Sequence, residues 1–160
     1  MSDDGTDLAA FAARLPGKGA LMGLDPGTKT IGIAVSDTGR AVASPLETRR
    51  RGKFAADAVW LAERARARAI AGIVVGLPLN MDGSAGPRAR SARAFGRNLA
   101  RALDLPVAFW DERLSTVAAE RALLEADTSR RRRTEVIDHV AAAIILQGAL
   151  DRLAAIGRSE

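Results

Sequence analysis

The sequence predicts one α/β domain on a five-stranded mixed sheet, its first three strands antiparallel and its faces covered by helices. Three observations predict this. Short apolar stretches split by turn residues open the chain, two continuous apolar runs follow, and amphipathic helical patterns lie between and after them. The order β-β-β-α-β-α-β-α-α starts as a meander and then alternates, which is the pattern of a mixed sheet.

Residues 1–19 read as a loose extension or a short helix, 20–155 as the domain, and 156–160 as a tail. Ala20–Leu24 and Thr30–Ser36 are short apolar strands, and the "DPGTK" between them suits a tight hairpin. Ala41–Thr48 is a third strand, and its Pro45 argues for an edge position. Ala58, Leu61, Ala62 and Ala65 recur at helical spacing within a helix over 54–69. "AIAGIVVGLPL", 69–79, reads as a strand buried on both faces. A polar loop, "NMDGSAGP", leads to Pro87, well placed to start a helix over 88–104. That helix sets Ala92, Phe95, Leu99 and Leu103 on one side and Arg90, Arg93, Arg97 and Arg101 on the other. The arginine stripe is an outer face and requires no function. A buried strand follows at 106–110, then a helix capped by Ser115 or Thr116 and running to about Ala126. "DTSRRRRTE" reads as a basic mobile segment before a last helix from about Thr134 to Ala155.

Composition narrows the chemistry. The 160 residues are 48% hydrophobic but only 4% aromatic, so the core rests on Ala, Leu, Val and Ile. A net charge of +5 and a pI near 10.8 favour polyanion partners such as nucleic acid. With no cysteine, disulfides, zinc thiolate sites and cysteine nucleophiles are excluded. His139 is the sole histidine, which excludes a multi-histidine centre within one chain. The acidic N-terminus is a poor signal peptide, and no apolar run is read as bilayer-spanning. The expectation is a cytoplasmic protein with no membrane partner.

Chemistry must then rest on carboxylates, hydroxyls, Lys and Arg. Asp138 shares its helix face with Ala141, Ala142, Ile145 and Ala149, so it faces the protein and needs a cation, a hydrogen-bond network or a metal. Asp111 and Glu112 follow the strand "PVAFW" directly, and ligands of α/β sheets gather at carboxyl ends of strands. Alternation points one of the two into the site without choosing which. Asp25 ends the first strand. Clustered carboxylates repel one another, and Mg²⁺ or Mn²⁺ relieves the repulsion. Paired ions of this kind clamp a phosphodiester for in-line attack.

"GLDPGTKTIGIAVSD", "VVGLPLNMDGS", "WDERLST" and "EVIDHVAAAIILQ" together resemble the YqgF family, which is similar to RuvC-type Holliday junction resolvases within the ribonuclease H-like superfamily. The resemblance spans about residues 20–155. It implies a ribonuclease H-like five-stranded mixed sheet with helices on both faces. It also implies a hydrolase: a nuclease that processes the 5′ end of precursor 16S rRNA in ribosome biogenesis. By position it makes Asp25, Glu112 and Asp138 the catalytic, metal-holding acids, with Asp111 in reserve and Mg²⁺ or Mn²⁺ as cofactor.

Lys29 would point toward the bound backbone, and Asn80 and Asp82 would position substrate, although Asn, Asp and Gly also serve a plain tight connection. Arg113 and Arg130, Arg131, Arg132 and Arg133 are the remaining expected nucleic-acid contacts, giving affinity more than sequence choice. His139, about 100° round the helix from Asp138, takes a structural or solvent role. The expected partner is RNA in a pre-ribosomal particle, bound by a monomer or homodimer. Two alternatives stay open: a nuclease for branched DNA, and a non-catalytic RNA-binding assembly factor. The loop "DPGTKTIGIAV" also resembles the phosphate loop of actin-like ATPases, but those clamp a nucleotide between two domains and the length suits one.

Overall fold

The computed structural model describes residues 7–117, 119, 120, 123 and 130–159, with the side chains of the last helix described over 138–157. Five strands form one sheet: β1 (Leu21–Pro26), β2 (Thr30–Ser36), β3 (Ala43–Arg50), β4 (Gly72–Leu77) and β5 (Val107–Asp111). Their order is β3-β2-β1-β4-β5. β1–β2 and β2–β3 pair antiparallel, whereas β4 runs parallel to both β1 and β5. The predicted mixed sheet with an antiparallel opening is therefore present. Pro45 lies on edge strand β3, opposite Ala34, where the β2–β3 register shifts. A residue without an N–H fits that place.

Alternation along the strands feeds two separate cores. Met22, Leu24, Ile31, Ile33, Ile73, Val75 and Leu77 pack with α2 (Phe54–Ala67) and α3 (Pro87–Leu103). Leu21, Ala34, Val74, Ala108 and Trp110 pack on the other face with α1 (Leu8–Arg14) and α4 (Arg130–Ser159). Within the N-terminal extension, Leu8–Arg14 forms a short helix that buries Leu8 and Phe11. Along α4, Ala141, Ala142, Ile145 and Ala149 are all buried, as the helical spacing predicts.

Several boundaries move. β1 extends through Asp25 and Pro26, because these pair with Gly32 and Ile31. The hairpin turn is left to Gly27–Lys29, closed by Gly27 N donating to Thr30 O at 2.8 Å. β4 is shorter than the apolar run that predicts it, and α2 ends at Ala67. "RRRR" is not a loop: α4 already begins at Arg130. Arg and Glu are good helix formers, so this segment continues the helical pattern rather than breaking it. Where the Ser115–Ala126 helix is expected, residues 117, 119, 120 and 123 are helical; 118, 121, 122 and 124–126 lie outside the described residues.

Asp138–Gly157 is also long and apolar enough, by length and composition alone, to cross a membrane, contrary to what the apolar runs suggest. A core helix passes the same test, and this one covers the sheet.

Asp57 is the polar residue most deeply set among the described ones, 1% exposed on the apolar side of α2. Its Oδ1 accepts from Arg49 Nε at 3.0 Å and from Gly52 N at 3.0 Å. The Arg49 guanidinium also lies 4.9 Å over the Trp60 ring. This ties β3 to the start of α2. Asp57→Ala is expected to cost about 2 kcal/mol, below the loss for a fully buried pair because Arg49 keeps 22% exposure. Thermal unfolding should show Tm lowered by roughly 4–8 °C.

Candidate active site

Asp25 is 5% exposed, and alternation from Leu21 and Gly23 turns its side chain toward α4. Its neighbours across the sheet are both glycines. Gly32 pairs with it in the β1–β2 ladder. Gly76 lies level with it on β4, one step past the Leu24–Val75 pair. Each glycine carries another acidic residue above it.

Over Gly32 sits the backbone of α4. A Cβ on Gly32 would overlap the carbonyl of Asp138, so only glycine lets the helix come this close. Asp138 is half-buried there, and Thr30 Oγ1 donates a hydrogen bond to its Oδ2. Over Gly76 sits Glu112: a Cβ there would lie 3.4 Å from Glu112 Oε2 and 2.5 Å from Ile145 Cδ1. The three acids therefore share one face and one end of the sheet, at carboxyl ends of β1 and β5. Among the described residues, no three His, Cys, Asp or Glu side chains are grouped closely enough to hold one ion.

The choice that alternation leaves open at residues 111 and 112 is resolved by the backbone. Asp111 pairs in register with Leu77, whose side chain belongs to the α2/α3 core, so it points away from α4. It is also fully engaged. Arg113 Nε donates to both carboxylate oxygens at 3.1 Å and Nη2 donates to Oδ2 at 2.7 Å. Arg113 N adds a bond to Oδ1 at 3.0 Å, capping the turn Glu112–Leu114. These donors hold the Asp111 carboxyl below the usual carboxylate range and push the Arg113 guanidinium up. The reserve acid is thus a structural cap, and Glu112, the next residue, is turned to the α4 side.

Arg113 also straps the β4–α3 loop to the end of β5, its Nη1 donating to Met81 O at 3.2 Å. Arg113, expected as a nucleic-acid contact, is thus held by partners within the protein while remaining exposed. Arg113→Ala is expected to free the turn carrying Glu112 and lower turnover about tenfold with KM little changed. Arg113→Lys should restore little, since an ammonium cannot make the two-pronged bond. Steady-state kinetics of the two variants check this.

Asn80 and Asp82 are spent inside the same loop. Asn80 Nδ2 donates to Ser84 Oγ at 2.9 Å, and Asp82 Oδ1 accepts from Ser84 N at 2.9 Å. The tight-connection reading describes them better than substrate positioning. Lys29 is exposed on the hairpin loop. The side chains of Arg130–Arg133 lie outside the described residues. His139 Nδ1 is 3.0 Å from Thr48 Oγ1 on β3. In the arginine stripe, Arg93 is half-buried and its Nε is enclosed.

Sequence reasoning passes over Thr30, Gly32 and Gly76. The signal is present: glycines within the apolar strands "TIGIAV" and "VVGL" mark the strand face that a helix backbone approaches.

The family described as "RuvX: Holliday junction resolvase" matches residues 19–152. A Rhodobacter capsulatus protein named "Putative pre-16S rRNA nuclease" is 66% identical over 149 residues, covering 93% of this chain and 94% of that protein. A Ruegeria protein of the same name is 69% identical, covering 89% of this chain and 91% of its own length. Among solved structures, T. thermophilus RuvC in complex with Holliday junction substrate superposes with a TM-score of 0.54 at 14% identity, covering 86% of this chain and 96% of that one. The fold is that of these resolvases, and the sequence match over residues 19–152 shows that the chain belongs to the RuvX family.

Proposed function

We propose that this protein is a metal-dependent nuclease that hydrolyses phosphodiester bonds at the 5′ end of precursor 16S rRNA, acting in the cytoplasm during ribosome biogenesis. The observation that carries the reading is the placement of Asp25, Glu112 and Asp138 on one face and at one end of the sheet. The names of the relatives and the positive net charge support it.

The donors fit a hard divalent cation in kind. All three are carboxylates, the chain holds no cysteine, and the one histidine is engaged with Thr48. In this proposal Asp25, Glu112 and Asp138, which are not drawn together around one ion as they stand, would hold Mg²⁺ or Mn²⁺, which would supply positive charge to a phosphate and activate water for in-line attack. The rest is the work of the chain. β1 fixes Asp25 on the sheet, where it cannot drift. The Asp111–Arg113 clamp aims Glu112. Thr30 orients the Asp138 carboxylate, and the apolar contacts of α4 exclude water from its underside.

Cleavage of a 5′-extended 16S precursor tests the substrate. The reading predicts product with matured 5′ ends and weak competition from a four-way DNA junction. A second reading, junction resolution, is favoured by the family description and the fold match, and it predicts the reverse preference.

A further inference from the structure

On the side of the β1–β2 hairpin away from the acids lies a groove of about 530 Å³. Its walls include Gly27, Thr28, Arg51, Gly52, Arg88 and Ser91, and no carboxylate lines it. Arg51 is held in place on three sides. Its backbone N donates to Lys29 O at 2.9 Å, its Nη1 donates to Gly27 O at 2.6 Å, and its guanidinium lies 5.1 Å over the Phe95 ring. Arg88 is exposed, and among the described residues neither arginine is paired with a carboxylate. Arg49 and Arg64, by contrast, are each paired with an acid. Arg88 also lies in the first turn of α3, whose cap residue Gly86 supplies no side-chain acceptor to the helix N–H groups there.

Two cationic side chains, one pre-set by its own contacts, and two hydroxyls form a set of donors without acceptors of matching charge. That chemistry recognises a phosphate. The groove rim is Gly27, two residues from Asp25, about 7 Å of extended chain. We propose that this groove is a phosphate subsite: Arg51 and Arg88 take one backbone phosphate of the RNA strand whose scissile bond lies at the acids across the hairpin. This rests on the nuclease reading above, and it deepens it by giving the strand a second, fixed contact outside the acidic site.

The test is equilibrium binding of a single-stranded RNA oligonucleotide at several salt concentrations, in an Asp25→Asn background that does not consume it. Arg88→Ala is expected to weaken binding about fivefold and to reduce the slope of log Kd against log salt by about 0.7, the loss of one phosphate contact. Arg88→Glu should weaken binding further, about twentyfold. Arg66→Ala, an exposed arginine on the far end of α2, should change neither. Unchanged affinity and slope in both Arg88 variants would overturn the subsite while leaving the acids' role intact. Absence of metal-dependent cleavage by the wild type would overturn the nuclease reading while the Arg88 result stood. No RNA binding by the parent protein would overturn both.

Discussion

Gly32→Ala is expected to lower Tm by roughly 6–12 °C and to reduce cleavage about a hundredfold. The added Cβ would overlap the Asp138 carbonyl, and both partners are backbone, so no side chain can rotate away. Either α4 lifts from the sheet or β2 bends beneath it. Overpacking commonly costs about 1–3 kcal/mol, and a clash between two main chains belongs at or above the upper end. The same lift moves Asp138 away from Asp25, and a displacement of about 1 Å is enough for a hundredfold loss. Gly157→Ala is the matched control. A Cβ there meets nothing within 4 Å, and Ala is the better helix former, so stability and activity should hold. Thermal unfolding and cleavage kinetics of the pair separate a local clash from a general intolerance of alanine.

Asp25→Asn should leave the fold in place and remove the chemistry. Asn matches Asp in shape but carries no charge, so packing between Gly32 and Gly76 is preserved. It loses the anionic oxygen that a hard cation requires. Losing one preorganised electrostatic partner typically costs about a hundredfold to a thousandfold in turnover. Cleavage should therefore fall at least about a hundredfold while thermal unfolding shows a cooperative transition. Gly32→Ala behaves oppositely, losing stability and activity together, so the two variants distinguish a damaged scaffold from a disarmed site.

Most of the architecture is legible in the pattern of apolar residues. The hairpin punctuation at "DPGTK", the proline in β3 and the double-sided burial of β4 each lead directly to their place in the sheet. The acids are legible for the same reason: a carboxylate at a strand end, or among alanines on a helix, stands out. What stays hidden depends on contacts between distant elements. Residue alternation cannot separate Asp111 from Glu112. The distinction comes from the register of β5 on β4 and from Arg113, whose fork closes on Asp111. Arg113, Asn80 and Asp82 read as substrate contacts because polar residues beside a site look available in one dimension. Their hydrogen bonds run to Met81, Ser84 and Asp111. Nothing in the sequence marks Asp57, yet Arg49 and Gly52 draw it inward. Arg51 stands in a basic break between elements, and only the fold seats it over Phe95 beside a groove.

The central claim is that the three acids form the working site of a metal-dependent nuclease. Its most direct test is single-turnover cleavage of 5′-extended precursor 16S rRNA by the wild type and Asp25→Asn, with Mg²⁺ or Mn²⁺ and then with a chelator. Cleavage by the wild type is expected only when metal is present, with a rate at least about a hundredfold lower for the variant. Equal rates for the two proteins, or wild-type cleavage that persists in chelator, would contradict it.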